Sequence, residues 1–156
     1  MRPDGPCEFM GNFSGRPVHF GPAVIGSLAG TVLFGVVMTM MKMMGMVAAL
    51  VGSQSVAIGW AVHLAIGAVF GLAFAFVVAW FPDRPWLTGM LYGMAVWVSG
   101  PLIVMPLWLG MPGMVLDLSS STPWFSLMGH LLYGLVTGIV YARLGASAER
   151  KSAAAA

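Results

Sequence analysis

Four uncharged apolar runs set the pattern of this chain: Phe20 to Met41, Met43 to Pro82, Pro85 to Leu116 and Leu118 to Ala142. Each is longer than a soluble core helix requires, and a helix that crosses a bilayer needs about 20 apolar residues at about 1.5 Å each. The runs predict four spans, over residues 20–45, 56–81, 86–109 and 124–144, with a polar tail at 1–19 and a second tail at 145–156. The predicted fold is therefore an all-α membrane protein in which four transmembrane helices form two hairpins. Turn chemistry marks the joints. Pro82-Asp83-Arg84-Pro85 ends one helix and pre-sets the next, and Thr122-Pro123 caps and starts the last. Residues 1–19 and the Ala-rich end from Ala153 show no period and are expected to be loosely ordered.

The hairpins repeat. His63-Leu64…Gly67…Gly71…Phe74-Ala75 recurs as His130-Leu131…Gly134…Gly138…Tyr141-Ala142, and Gly26…Gly30…Phe34 is matched by Gly89…Gly93…Trp97. A hairpin duplicated after two crossings keeps its direction, so the halves are parallel repeats in an antiparallel bundle. The repeat puts His63 and His130 at one depth, roughly 10 Å inside the start of each helix. Every span also carries Gly-x-x-x-Gly: Gly26/Gly30, Gly67/Gly71, Gly89/Gly93 and Gly134/Gly138. Small residues four apart let two backbones approach closely, which is how helices gain packing energy in lipid. The histidines lie four and eight residues from these glycines, on the packed face.

Charge then gives direction. Arg2, Arg16, Arg84, Arg143, Arg150 and Lys151 fall on the face shared by both termini, and Lys42 falls on the other. Basic loops stay inside, so both termini are expected in the cytoplasm. Trp80 and Trp86 flank the inner loop and Trp108 and Trp124 the last outer loop, the expected level for indoles at the two interfaces. Cys7 is a single cysteine and offers no disulfide within the chain. The scarcity of basic residues argues against nucleic acid as a partner. The partners expected are the bilayer itself, with a homodimer or a larger membrane complex as further options.

The glycines lie mainly in the middle and inner half, whereas the outer half is filled by Met, Trp, His and Pro. The bundle is expected to be tight inside and wider outside. Ten of the 14 methionines, Met38, Met40, Met41, Met43, Met44, Met46, Met105, Met111, Met114 and Met128, fall in the outer layer. Pro101 and Pro106 remove two backbone donors from the third helix and leave the carbonyls of Trp97 and Leu102 without their usual partners. Irregular backbone at membrane depth is tolerated only against protein or a wet cavity, so an outward-facing pocket is expected there.

Several chemistries suit such a pocket. Intramembrane ionisable side chains are costly and mark function, yet a histidine can equally bridge two helices by a hydrogen bond. Methionines pack flexibly as filler. Two histidines on facing helices form the minimal axial pair for haem b. Thioether and imidazole also suit Cu(I), for which Met40 and Met44, at i and i+4, would join His63 and His130. Pseudo-twofold repeats and a proline-broken helix are features of small transporters. A groove that holds a lipid, a quinone or a partner helix is the remaining reading. Hydrolytic chemistry lacks a Ser/His/carboxylate set, HExxH, a phosphate loop and a buried carboxylate pair.

The set Gly59-Trp60-Ala-Val-His63-Leu64, Tyr92-Gly93, Met105-Pro106-Leu107, His130-Leu131-Leu132-Tyr133-Gly134, Gly138 and Tyr141 resembles a family of small uncharacterised four-helix bacterial integral-membrane proteins, classed as a domain of unknown function. The resemblance covers roughly residues 22–144. It implies a multi-pass protein of the bacterial inner membrane and carries over no activity. The sequence thus points to a non-enzymatic binding or accessory component with a pocket around His63, His130, Trp60, Trp97, Met40, Met44 and Met105. Haem or copper binding is the first alternative and transport of a small molecule or ion the second.

Overall fold

The computed structural model describes residues 19–81 and 83–155. The polar tail with Arg2, Cys7 and Arg16, together with Pro82 and Ala156, lies outside the described residues. The elements are α1 (Phe20–Met40), α2 (Met44–Ala49), α3 (Val56–Trp80), α4 (Pro85–Ser99), a π-helical turn (Gly100–Val104), α5 (Met105–Trp108), a 3-10 turn (Pro112–Met114) and α6 (Thr122–Ala155). No strand occurs among the described residues. Four helices are long and apolar enough to cross a membrane: Phe20–Met40, Val56–Trp80, Pro85–Trp108 and Thr122–Ser147. Large apolar side chains such as Ile25, Val69, Phe76 and Leu91 point away from the bundle. A surface this apolar fits lipid, as in a multi-pass membrane protein.

Two boundaries differ from expectation. The first span was expected to reach residue 45, but α1 stops at Met40. Lys42 takes a left-handed backbone (φ 57°), and Met43 N–H turns back to the Met38 carbonyl at 2.9 Å. No glycine or proline announces this stop, which is why hydropathy ran through it. At the other end, α6 continues to Ala155, through the Ala-rich stretch expected to be loosely ordered.

The third span opens where its prolines stand. The π-helical turn starts at Gly100-Pro101, and Met105 N–H bonds the Gly100 carbonyl five residues back. Pro106 has no N–H to give the Leu102 carbonyl. That carbonyl instead accepts from Leu116 N–H at 3.0 Å, with Leu116 in the left-handed region at φ 54°. A long-range backbone bond thereby replaces a missing helical one.

The helix order around the bundle is α3, α1, α6, α4, and of the neighbouring pairs α3 and α4 touch least. A Cβ on Gly89 or Gly93 would fall on the backbone of Gly134 and His130 in α6. A Cβ on Gly26 or Gly30 would meet the carbonyls of Thr137 and Tyr133, also in α6, at 2.7 and 2.6 Å. Both odd-numbered spans therefore aim their glycine pairs at α6. Gly67 and Gly71 of α3 receive the side chains of Thr31 and Ser27 instead. The hairpins match in sequence and direction, but their packing does not obey the two-fold.

Near the end that carries both termini, Ala23, Phe74, Ala75 and Val78 form a fully buried core, with Tyr92 and Tyr141 packed against it. Phe74 meets Tyr92 and Tyr141 at centroid distances of 5.4 and 5.8 Å. Ser27 Oγ–H donates to the Gly67 carbonyl at 2.6 Å, and Tyr92 Oη–H to the Phe70 carbonyl at 2.8 Å. Packing is closed here. Toward the distal end the helices part, as the glycine distribution predicts.

Candidate functional site

The parted helices enclose a cavity of about 590 Å³. One wall comes from the end of α1 and from α2 through Phe34, Met38, Met46 and Val47. The distal and middle parts of α3 add His63, Ile66 and Phe70, and the opened third span adds Pro101, Leu102 and Met105. The start of α6 closes it with Ser126, His130 and Tyr133. Its walls are aliphatic, aromatic and thioether, and its polar groups gather at the histidine layer and at the mouth.

At the histidine layer, Phe34 packs edge-on against both imidazoles, with centroid distances of 5.9 Å to His63 and 4.9 Å to His130. The ring sits over Gly129, where any Cβ would collide with it. Both histidines line the cavity, yet their bonds differ. His63 Nε2 lies 3.1 Å from the Thr31 carbonyl, across the α1/α3 interface. His130 Nδ1 lies 2.8 Å from the Ser126 carbonyl, one turn back in its own helix. A carbonyl accepts only, so in the neutral imidazoles Nε2 of His63 and Nδ1 of His130 carry the protons. Nδ1 of His63 and Nε2 of His130 keep their lone pairs. No buried side-chain nitrogen or oxygen among the described residues lacks a partner, and these two nitrogens have none. Both are thus open rather than enclosed.

This difference separates the two roles weighed for the pair. His63→Phe is expected to lose a cross-helix bond and up to about 1 kcal/mol of bundle stability, whereas His130→Phe loses only a bond within α6. Thermal unfolding in detergent of the two variants compares them. Equal loss in both would refute the assignment.

Of the other residues singled out, Met105 lines the cavity. Trp60 backs His63 at a centroid distance of 6.3 Å and seals Gly35 from outside the cavity. Trp97 is buried, with Nε1–H donating to the Pro123 carbonyl at 3.0 Å, and it ties the third span to the start of α6. Met40 and Met44 do not belong to the cavity. The break at Lys42 destroys their i, i+4 relation: Met40 is 79 % exposed and Met44, 1 % exposed, is packed beneath Gly59. Seven other methionines line the cavity, Met38, Met41, Met43, Met46, Met105, Met111 and Met114. An axial histidine pair on one haem iron would require the imidazoles to face each other, and what they share here is the ring of Phe34.

Phe34, Ser126 and Tyr133 were not singled out as site residues. Phe34 had a readable signal, since it follows Gly26 and Gly30 at intervals of four and so shares their packed face. At the mouth, Asp117 accepts from Ser119 N–H at 2.9 Å, and hydrogen bonds from Ser119 hold its carboxyl below the usual carboxylate range. Trp108 Nε1–H bonds the Leu50 carbonyl at 2.9 Å and joins the distal segments of the two hairpins.

Among known proteins, the model of a family described as of unknown function (DUF6789) matches residues 18–152. No curated protein and no solved structure matches the chain.

Proposed function

We infer, for a chain that belongs to DUF6789, a family of unknown function, a non-enzymatic role as a binding component of a membrane. Its distal cavity receives a lipophilic small molecule. The observation that carries this reading is the combination of a cavity of about 590 Å³ with apolar walls and two open imidazole nitrogens in one layer. Ligand sites have this make-up: mostly hydrophobic lining and a few polar groups that orient the guest. Methionine-rich walls add adaptability, because an unbranched thioether repacks around different shapes. Arg84 and Arg143 lie at the end that carries the termini, which supports a cytoplasmic position for that end and an outward-facing cavity in an inner membrane.

The test is organic extraction of protein purified in mild detergent, followed by mass spectrometry. One class of lipophile is expected to be retained above the micelle background and lost from Ile66→Trp, which fills the cavity. Equal retention in that variant, at unchanged elution volume, would remove the reading.

One observation favours a second reading. Each imidazole gives one N–H to a backbone carbonyl and keeps the other nitrogen free, the arrangement that commonly orients metal-bound histidines. Seven thioethers share the cavity, and soft sulfur ligands favour Cu(I). Metal content of the same preparation tests it: stoichiometric copper, absent from a His63/His130 double variant, would place this reading first. An oxidised and a reduced absorption spectrum do the same for haem.

A further inference from the structure

We propose that the cavity's guest is a lipophilic hydroquinone or phenol, held through its hydroxyl proton, and that the oxidised quinone is discriminated against. The inference rests on the cavity being a binding site. It follows from which atoms there can give a proton and which can only take one.

His63 and His130 each spend their N–H on a backbone carbonyl, so Nδ1 of His63 and Nε2 of His130 can only accept from a guest. Tyr133 adds no donor. Ser27 Oγ–H donates to the Gly67 carbonyl, so the 2.7 Å contact between Ser27 Oγ and Tyr133 Oη is made with the tyrosine's proton, which is then not available to a guest. The hydroxyls of Thr31 and Ser126 serve either role and do not discriminate. The groups that do discriminate are all acceptors.

A quinone presents carbonyl oxygens, which would face nitrogen lone pairs. To bond one, an imidazole would have to change tautomer and abandon a backbone carbonyl, which leaves a quinone only the hydroxyls that serve either guest. The corresponding hydroquinone presents O–H groups and needs no rearrangement. Aromatic rings at the same level, Phe34 edge-on to both imidazoles among them, and the thioethers around them favour a flat aromatic headgroup over an aliphatic alcohol. The remaining apolar volume suits a hydrocarbon tail.

The experiment is anaerobic titration of the whole protein in detergent with decyl-hydroquinone and with the matching decyl-quinone, read by displacement of a fluorescent lipophile. The hydroquinone is expected to bind about tenfold tighter, the equivalent of one well-placed hydrogen bond. His130→Gln, which offers both a donor and an acceptor and removes no hydrogen bond between helices, is expected to erase most of that preference. Equal or tighter binding of the quinone by wild type overturns the proposal, as does a preference unchanged in both His130→Gln and His63→Gln. Decanol competing as well as the hydroquinone overturns the aromatic headgroup. If neither probe binds while extraction still yields a retained lipophile, the hydroquinone inference falls and the binding reading stands. If extraction yields none either, both fall.

Discussion

Gly134→Ala is expected to cost the bundle about 2–3 kcal/mol, lowering its unfolding temperature in detergent by roughly 5–10 °C. A Cβ at Gly134 would be driven into the carbonyl of Gly89, with the Gly93 Cα only 3.2 Å away, and both are backbone. A flexible side chain can rotate out of such a collision, whereas a helix backbone can only retreat as a whole. Retreat of α4 from α6 would loosen the most extensive helix pairing among the described residues along its length, including the reciprocal approach of Gly138 to Pro85. The matched control is Gly45→Ala in α2, where an added Cβ has no neighbour within 4 Å. There the usual preference of helices for alanine leaves stability unchanged or slightly higher. The two alanine variants measured side by side decide the matter, and similar melting would show that the α4/α6 approach is not what holds the second hairpin.

Phe34→Ala is expected to be as damaging, at about 3 kcal/mol, the range for truncating a buried phenylalanine. Its ring is 7 % exposed and serves two helices at once, filling the hollow over Gly129 and bracing both imidazoles. Removal would merge that hollow with the cavity and free both histidine rings to turn. Phe76, 57 % exposed toward the surroundings of the bundle, is the comparison. Its truncation removes one edge-on contact with Phe20 at the bundle surface and otherwise only contacts with lipid or detergent that other molecules replace. Thermal unfolding should place Phe34→Ala far below Phe76→Ala, and displacement of the bound fluorescent lipophile should weaken in the first alone. Equal stability of the two variants would contradict the bracing role.

Much of the architecture was readable because lipid imposes it. Long uncharged runs, Pro-bounded turns and repeated glycines lead to four helices in two hairpins, and Pro101 and Pro106 located the opening of the third span. Which faces meet was harder to read. A span is apolar all round, so hydropathy carries no face, and only the glycines mark contact. They did not say that Gly26/Gly30 and Gly89/Gly93 both choose α6, since that depends on how far each helix is rotated. Within the candidate metal set, one dihedral parts the two methionines: Lys42 in the left-handed region separates Met40 from Met44. His63 and His130 were correctly placed at one level, but their opposite hydrogen-bonding habits depend on Thr31 and Ser126, which no motif highlights.

The bond from Leu116 N–H to the Leu102 carbonyl bears on traffic. Lifting the distal loop that carries Leu116 would strip that carbonyl of its proton donor within an apolar span, where an unsatisfied group costs several kcal/mol. The loop beside the mouth is therefore held in place. Of the neighbouring helix pairs, α3 and α4 touch least, but parting them breaks the bond from Tyr92 Oη–H to the Phe70 carbonyl. A guest that arrives sideways from the lipid would therefore exchange faster in Tyr92→Phe, whereas one that uses the mouth would not.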